Sequence, residues 1–396
     1  DWQDIDNFSD NSAGIRKIDN NAGYALWMWG NNHNGILGNG TTGDTSSPIQ
    51  VGSLNDWSLQ GGGSNDSHHH IKAEGTLWAW GDAGTGQLGD GTTTDKSSPI
   101  QIGNLADWAS ISGGSLNRLA VKTDGSLWAW GAGATGKLGL NNTTNYSSPV
   151  QVGVLTDWSK VDADAQHVVA LKTDGTIWSW GKNTSGQVGD GTTTDRSSPV
   201  QVGALTTWTD VVTNGYSVIA IKSDNTIWTW GNDGTEGRLG HNQVSTNYSS
   251  PVQVGALTDW ASIGGTWTSL NAIKTDGTLW TWGGNVVGDL GLGDTTDRSS
   301  PTQVGDLTDW SKTSRASGGD TLLAIKTDGT LWVWGNASSS GGALGLRNTT
   351  DYSSPVQLGS GAGWFAADFT GVNNYSGFGL RRPTIAAGTT SGYLFA

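Results

Sequence analysis

The fold of this chain is decided by the stretch LAVKTDGSLWAWG at residues 119–131. Two apolar runs flank Thr-Asp-Gly, and glycine accepts the positive φ of a tight turn, so the stretch predicts a β-hairpin. In its second strand Leu127 and Ala129 alternate with Trp128 and Trp130, which makes both faces of that strand apolar. Such a strand must be covered on both sides, and a sheet stacked between two other sheets provides that cover.

The same stretch recurs along the chain with a period of 50 to 52 residues, which indicates a repeat architecture. The Trp-x-Trp-Gly motif begins seven times, at Trp27, Trp78, Trp128, Trp178, Trp228, Trp280 and Trp332. A Ser-Ser-Pro triplet follows each motif and a further tryptophan opens each unit, so each unit contains four short strands. The residue between the paired tryptophans is mostly small, which leaves room for indoles of an adjacent unit. We therefore expect the tryptophans to form the core, and Lys122 to contribute little to it.

These units predict an all-β fold, a seven-bladed β-propeller of four-stranded antiparallel blades, as a single domain over residues 1–396. Residues 364–396 are a degenerate closing segment and tail: residues 375–380 copy residues 216–221, but Ala386 and Ala387 stand where paired tryptophans belong. We expect strands from both termini to share the closing blade, because closure removes free sheet edges.

Charge and composition restrict the function. The net charge is −14 and the pI is about 4.6, so the chain repels nucleic-acid backbones and anionic membrane surfaces. No apolar run is long enough to cross a bilayer, and the absence of cysteine excludes disulfides and thiolate sites. The chain begins at Asp1 without an initiator methionine, so we expect it to be processed or cut from a longer polypeptide.

Motifs that carry chemistry are missing from the sequence. It contains no phosphate-binding loop, no His-Glu-x-x-His and no Gly-x-Ser-x-Gly, so we predict no enzyme activity and no cofactor. The triplet at residues 68–70 lies on a strand, where His69 faces away from its neighbours, so no metal site is predicted. The loop at residues 90–95, echoed at 190–195, lacks the ligand pattern of an EF-hand, and turn chemistry explains it as well as calcium does.

The repeat resembles the regulator of chromosome condensation repeat, most clearly over residues 114–153 and 162–203. The resemblance implies a seven-bladed propeller of four-stranded sheets. Members of that family often carry a histidine three residues before the alanine of the second strand, and here His167 alone matches it. The other units place a small polar residue there, which we expect to bond the backbone.

Two family activities provide alternatives. Exchange on a small GTPase depends on an inserted wedge and on chromatin contacts, and this sequence shows neither such an insertion nor a basic tail. Inhibitors of secreted β-lactamases belong to the same propeller family, so an inhibitor of a secreted enzyme is the alternative reading.

The connections between the first and second strands vary most, and equivalent loops fall on one face of a propeller. They predict a binding surface with these candidate residues: His68, His70, Arg118, His167, Tyr216, Trp267 and Arg315. Trp267 is the one tryptophan outside the repeat positions, so we expect it to be partly exposed beside Tyr216 and Arg315, where it contacts a partner or caps the channel.

The leading hypothesis is a non-enzymatic binding or structural propeller that is secreted, exposed on a cell surface or attached to a virion, such as a phage fibre or decoration protein. Its expected partner is a host surface, a glycan or another structural protein, within a larger assembly.

Overall fold

The computed structural model describes residues 11–17, 24–30, 32–43, 45–53, 56–64, 67–114, 116–313, 320–336, 344, 346, 350–358, 364–370 and 376–381. Their strands are, in chain order, β1 (Asn11–Lys17), β2 (Tyr24–Gly30), β3 (Thr45–Gln50), β4 (Trp57–Ser64), β5 (Ser67–Lys72), β6 (Leu77–Gly81), β7 (Lys96–Gln101), β8 (Trp108–Ser112), β9 (Asn117–Lys122), β10 (Leu127–Gly131), β11 (Tyr146–Gln151), β12 (Trp158–Ala163), β13 (His167–Lys172), β14 (Ile177–Gly181), β15 (Arg196–Gln201), β16 (Trp208–Thr213), β17 (Ser217–Lys222), β18 (Ile227–Gly231), β19 (Tyr248–Gln253), β20 (Trp260–Gly265), β21 (Ser269–Lys274), β22 (Leu279–Gly283), β23 (Arg298–Gln303), β24 (Trp310–Thr313), β25 (Thr321–Lys326), β26 (Leu331–Gly335), β27 (Tyr352–Gln357), β28 (Trp364–Thr370) and β29 (Ser376–Arg381). Short 3-10 helices lie at His33–Gly35 and Ala134–Gly136. Within these ranges no helix has the length and apolarity needed to span a membrane.

Strands β4 to β27 form six blades of four antiparallel strands, which we number 1 to 6 in chain order. The first strands of successive blades contact one another, so the first strand of each blade lies innermost and the fourth outermost. Strands two and three pair as the predicted hairpin. In blade 2 Leu127 lies opposite Val121, and Gly125 turns between them with a φ of +80°. The all-β propeller of four-stranded antiparallel blades is confirmed.

Strands from the two ends of the chain belong to one sheet, in the order β28-β29-β1-β2, with β3 also paired to β2. Strand β29 runs parallel to β1, with Ala13 opposite Phe378, and a single bridge from Tyr24 to Trp57 connects the group to blade 1. Ala386 and Ala387, which were read as the degraded tryptophan pair, lie outside the described residues.

In blades 1 to 6 the second tryptophan of the Trp-x-Trp-Gly motif packs against a glycine of the preceding unit, and in five of these blades, all except that of Trp282, its Nε1 also donates to a carbonyl there. Trp130 is fully buried, and its Nε1 donates to the carbonyl oxygen of Gln87 in blade 1 at 3.0 Å. A Cβ on Gly89 would lie 2.7 Å from that Nε1, and Gly89 has a φ of +85°, so only glycine fits there. The same indole-to-carbonyl bond is made by Trp80 to Ile36, Trp180 to Lys137, Trp230 to Gln187 and Trp334 to Asp289.

Apolar clusters span neighbouring blades, as expected from the small residues between the tryptophans. In one cluster Ala79 and Leu88 of blade 1 pack with Trp108 and Trp130 of blade 2. The opening tryptophans and the second tryptophans of the motifs are buried in all six blades. The interpretation of these indoles as core is therefore confirmed.

The first tryptophan of each motif has a different environment, and it corrects the expectation for Lys122. Trp128 is half-buried, and the Nζ of Lys122 lies 4.5 Å from its ring centre and 4.7 Å from that of Trp108. The same Nζ lies 3.2 Å from Oδ2 of Asp107, and the Lys122 side chain is only 5% exposed. The lysine stem covers two indoles while its ammonium group keeps an acidic partner, so the lysine is part of the packing.

We predict that Trp130→Ala lowers the free energy of unfolding by about 3–5 kcal/mol, because it leaves a cavity between two blades. Lys122→Ala is expected to cost about 1 kcal/mol through the lost cation–π contact and ion pair. Lys222→Ala should cost less, because Thr207 replaces the aspartate and the Nζ of Lys222 lies 3.5 Å from Asp224. Chemical denaturation measures all three, and a Trp130→Ala loss no larger than that of Lys222→Ala would place the indole outside the core.

Candidate functional site

The propeller has two faces built from different connections. The long-loop face carries the connections between strands one and two and between strands three and four of each blade. The turn face carries the turns between strands two and three and the passages from one blade to the next. Each long loop also reaches the following blade, as when the Gly91 nitrogen donates to the Ser147 carbonyl at 2.6 Å. The long-loop face is therefore held by backbone bonds between blades.

Four side chains of blades 4 and 5 meet on the long-loop face, and we call them the aromatic cluster: Tyr216, Arg238, Glu236 and Trp267. The rings of Tyr216 and Trp267 are half-buried and stacked, with centres 5.9 Å apart and planes at 10°. The Arg238 guanidinium carbon lies 5.2 Å from the Tyr216 ring centre. Arg238 Nη1 donates to the Trp267 carbonyl at 3.3 Å, and Nη2 donates to Glu236 Oε2 at 3.1 Å. The cluster presents flat apolar rings beside fixed charges.

The loop that carries Tyr216 is anchored from the neighbouring blade. Oδ2 of Asp164 in blade 3 accepts the Gly215 nitrogen at 3.0 Å and the Thr213 hydroxyl at 2.8 Å. Gly215 has a φ of +95°, and a Cβ there would lie 2.9 Å from Cδ1 of Trp267. Glycine at this position therefore permits both the loop conformation and the approach of the indole.

The anchoring carboxylate stays ionised. Burial would raise the pKa of Asp164, but the His167 imidazole and hydrogen bonds from His167 and the Gln166 nitrogen outweigh burial and hold the pKa at about 2. His167 Nδ1 lies 2.8 Å from Asp164, and its Nε2 lies 2.9 Å from the Thr213 hydroxyl. These three side chains are at most 1% exposed, so the carboxylate, imidazole and hydroxyl form an internal support for the loop.

His167 and three other predicted surface residues lie in the interior, so the sequence-based placement is wrong for them. His68, His70, Arg118 and His167 are at most 4% exposed. The physical reason is the position of the strand starts. The second strands begin at residues 67, 117 and 167, so these side chains belong to buried strands and not to the preceding connections.

The histidine triplet alternates as predicted. His68 and His70 stack on Trp80 at 5.8 and 5.4 Å between ring centres. His69 points to the other side, where Arg118 Nε donates to its Nδ1 at 3.0 Å. Burial lowers the pKa values of His68 and His69 well below the ordinary value of histidine. It also lowers the pKa of His70 to about 4 and the pKa of Arg118 to about 10. Arg118 also donates to the Ser67 hydroxyl of the preceding blade at 2.7 Å, so it joins two blades.

Tyr216 and Trp267 are the predicted residues that the structure does bring together at the surface. Arg315 lies outside the described residues. The arginine that joins them is Arg238, which sequence reasoning missed. The sequence feature that could have identified Arg238 is its position in the motif Gly237-Arg238-Leu239-Gly240. The second position of this motif varies among the units and is Gln87, Lys137, Gln187 or Asp289 in others.

A carboxyl pair next to Trp267 was also missed. The Thr268 hydroxyl lies 3.5 Å from both Asp289 Oδ2 and Asp320 Oδ1. Burial, followed by the charge of Asp320, raises the pKa of Asp289 well above its usual range, and burial raises the pKa of Asp320. This end of the face therefore favours a positively charged neighbour.

The acidic long loops are held by their own hydrogen bonds. Asp90 Oδ1 accepts the Thr92 nitrogen at 2.9 Å, and Asp95 Oδ1 accepts the Ala83 nitrogen at 2.9 Å. Asp190 bonds Thr192 and Arg196 in the same way. In the part of the chain that the structure describes, no three His, Cys, Asp or Glu side chains are placed to hold a metal.

The fold is a β-propeller whose long-loop face carries the aromatic cluster. The chain belongs to the regulator of chromosome condensation (RCC1) repeat family, whose model matches residues 25–64, 74–121, 124–171, 174–221 and 276–325, more than half of the chain. A second model of the same repeat matches residues 158–187.

Curated relatives match parts of the chain. The X-linked retinitis pigmentosa GTPase regulator of Canis lupus familiaris is 34% identical over 127 residues, which are 31% of this chain and 12% of the relative. The ultraviolet-B receptor UVR8 of Arabidopsis thaliana is 28% identical over 121 residues, 30% of this chain and 27% of the receptor. The chain thus spans less than a third of the length of these relatives.

Two solved structures share the fold over most of both chains. Human WBSCR16 has a TM-score of 0.74 at 19% identity and covers 88% of this chain and 97% of its own. Prp20p of Saccharomyces cerevisiae has a TM-score of 0.70 at 18% identity, with 89% and 90% covered. At this identity the likeness concerns the fold.

The buried histidines predict acid sensitivity. A histidine whose pKa is lowered by folding stabilises the protein above its unfolded pKa of about 6.5, and that stability is lost as the pH falls toward the folded value. For His70, with a folded pKa of about 4, the loss amounts to roughly 3 kcal/mol by pH 4. We expect His70→Ala, which installs the alanine of the other blades, to reduce the slope of melting temperature against pH between 7 and 4.

His33→Ala, at an exposed histidine, provides the control for this measurement. Equal slopes for the wild type and His70→Ala would show that His70 does not titrate as a buried group.

Proposed function

We propose that this chain is a non-enzymatic binding propeller that docks a protein partner on its long-loop face through the aromatic cluster. The observation that carries the proposal is the stacked, half-exposed pair of Tyr216 and Trp267 with Arg238 against it. Tryptophan, tyrosine and arginine dominate the energetics of protein interfaces when they are held rigidly. Here the rigidity comes from the Gly215 loop and its Asp164 anchor in the preceding blade.

The chemistry of the neighbouring groups supports a partner with a basic side chain. Glu236 pairs with Arg238 beside the Tyr216 ring, and Asp289 and Asp320 lie 3.5 Å from the hydroxyl of Thr268, the residue after Trp267. A lysine or arginine of the partner would therefore find carboxyl groups near an apolar platform. The solved relative Prp20p is described by its binding to Gsp1p and histones, and another structure shows it bound to Kap60. Those partners favour protein recognition by this fold. A glycan partner and the exclusion of nucleic acid stay predictions from composition and charge.

We further propose that the chain works outside the cell, on a cell surface or on a virion. The support is the net charge of −14, the absence of cysteine and the near-identical blades. Regulation of a GTPase, suggested by the name of one relative, and inhibition of a secreted enzyme are the alternatives.

The test compares wild type with Trp267→Ala and Trp267→Phe. Each is immobilised, the captured proteins are identified by mass spectrometry, and the affinity for the purified partner and the melting temperature are measured. We expect Trp267→Ala to weaken binding at least about 30-fold, the factor of an interface hot spot, with Phe restoring part of it. Val286→Ala, at an exposed residue of the same face, is the matched control and should bind as wild type.

An unchanged affinity for Trp267→Ala at an unchanged melting temperature contradicts the proposed docking site. A large fall in melting temperature shows that Trp267 serves the core. The partner's identity decides the location: a surface or particle component supports it, whereas a GTPase or a secreted hydrolase favours the corresponding alternative.

The number of blades and the closure of the ring are also proposals. Seven Trp-x-Trp-Gly units and the parallel pairing of β29 with β1 support a seventh blade built from both chain ends. Deleting residues 364–396 should expose the edge of β1 and lower the melting temperature, with association at high concentration. Truncation after residue 388 is the control, and equal melting temperatures for both truncations would contradict closure by the C-terminal strands.

A further inference from the structure

The turn face carries a regular set of exposed leucines that the core does not use. Each described passage from one blade to the next places a leucine three residues before the opening tryptophan, and its exposed fraction lies between 43% and 52%. These residues are Leu105, Leu155, Leu205, Leu257 and Leu307. Single exposed leucines are ordinary, but five at one repeat position form an array.

The repeat places these leucines in a ring. Each passage runs from the outer strand of one blade to the inner strand of the next and is fixed to the hairpin turn it crosses. In one such contact the Trp158 nitrogen donates to the Gly125 carbonyl at 3.1 Å. A Cβ on Gly125 would lie 2.2 Å from the Thr156 carbonyl oxygen, so turn and passage touch. Equivalent contacts recur in the other blades, so Leu155 and its counterparts stand at equivalent points around the axis.

Uncompensated negative charge surrounds the leucine ring. The described passages, turns and adjoining strand ends of blades 1 to 6 carry six lysines and twelve carboxylates. The lysines are Lys72, Lys122, Lys172, Lys222, Lys274 and Lys326, and the carboxylates are Asp56, Glu74, Asp107, Asp124, Asp157, Asp174, Asp224, Asp259, Asp276, Asp306, Asp309 and Asp328. The lysines lie against indoles and pair mainly with the aspartates next to the opening tryptophans. The exposed turn carboxylates Asp124, Asp174, Asp276 and Asp328 have no salt bridge within the described residues.

A pocket between two blades adjoins the leucine ring. Leu307 lies at a cavity of about 300 Å³ between blades 5 and 6, lined by Trp310, Trp332, Val304 and Pro355 among others. Apolar walls next to Asp309 and Asp328 fit an apolar side chain that is followed by a basic one.

From this combination we infer that the turn face is a second docking surface, for a protein segment in which basic residues alternate with apolar ones. The leucine ring supplies the apolar contact, and the turn carboxylates supply charge complementarity. A second copy of this chain is disfavoured as the occupant, because two acidic faces would repel each other. The surface lies opposite the aromatic cluster, so it is independent of the docking site proposed above.

The experiment uses the full chain and three synthetic peptides of equal length. The first peptide alternates lysine with leucine, the second has glutamate in place of every lysine, and the third has serine in place of every leucine. Affinities are measured by fluorescence anisotropy for the wild type and for a variant with serine at all five leucines. We expect the lysine–leucine peptide to bind at least tenfold more tightly than either other peptide, and the serine variant to lose at least tenfold.

Two further variants make the result decisive. Val244→Ser with Val286→Ser removes exposed apolar side chains from the opposite face and should bind the peptide as wild type does. Asp124→Asn, Asp174→Asn and Asp276→Asn together keep the turn acceptors but remove charge, so they should weaken binding and flatten its salt dependence. The asparagine variant provides this test even if the five-serine variant unfolds.

Peptide binding that is unchanged in both the serine and the asparagine variants overturns the inference, as does equal binding of the glutamate–leucine peptide. Sedimentation of the wild type should give a monomer. A dimer that the five serines dissociate overturns the inference in favour of a second copy.

Discussion

The structure depends on one contact, the insertion of an indole from each blade against the backbone of the blade before it. Trp130 donates to the Gln87 carbonyl and packs on Gly89, where a Cβ has no room. The bond satisfies a carbonyl that would otherwise be buried without a partner, and the ring fills the space between two sheets. Because the contact is directional along the chain, each blade is placed by its predecessor, and the repeat propagates from blade to blade.

The tryptophans of the repeat divide between the core and the turn face. The second tryptophans and the opening tryptophans build the core, whereas the first tryptophans and their lysines close the outer part of the turn face. The backbone of the long-loop connections receives the indoles, so only the side chains of these connections are free to differ between blades. Those of blades 4 and 5 use that freedom to bring Tyr216, Arg238 and Trp267 together, while the passages below keep one leucine in every described repeat.

The sequence predicted most of the fold because the period, the turn glycines and the alternation in the third strand all require the same arrangement. Its errors concern single side chains. Arg118 is a charged residue next to a variable loop, but its guanidinium group finds five backbone and side-chain acceptors inside, which no pattern in the sequence shows. Lys122 is buried because its side chain packs on the indoles of Trp108 and Trp128, which lie on the two strands that flank its own.

The candidate site was predicted only in part, because the sequence identifies a residue outside the repeat pattern but not the direction of the side chains around it. Trp267 was identifiable because every other tryptophan occupies a repeat position. It stacks on Tyr216 because the two residues lie on equivalent connections of adjacent blades. Arg238 and Asp289 occupy a motif position that varies among the units, and their direction depends on the neighbouring blade. Only the three-dimensional arrangement shows that Arg238 reaches the Tyr216 ring and that Asp289 lies beside the Thr268 hydroxyl.

Hydrogen exchange of the indole N–H groups, followed by NMR on tryptophan-labelled protein, tests the central contact most directly. We expect the Nε1 protons of Trp80, Trp130, Trp180, Trp230 and Trp334 to exchange only through global unfolding, because each is buried and bonded to the preceding unit. The half-exposed Trp267 should exchange orders of magnitude faster. Exchange of the five protons at the rate of Trp267 would contradict the claim that these indoles hold the blades together.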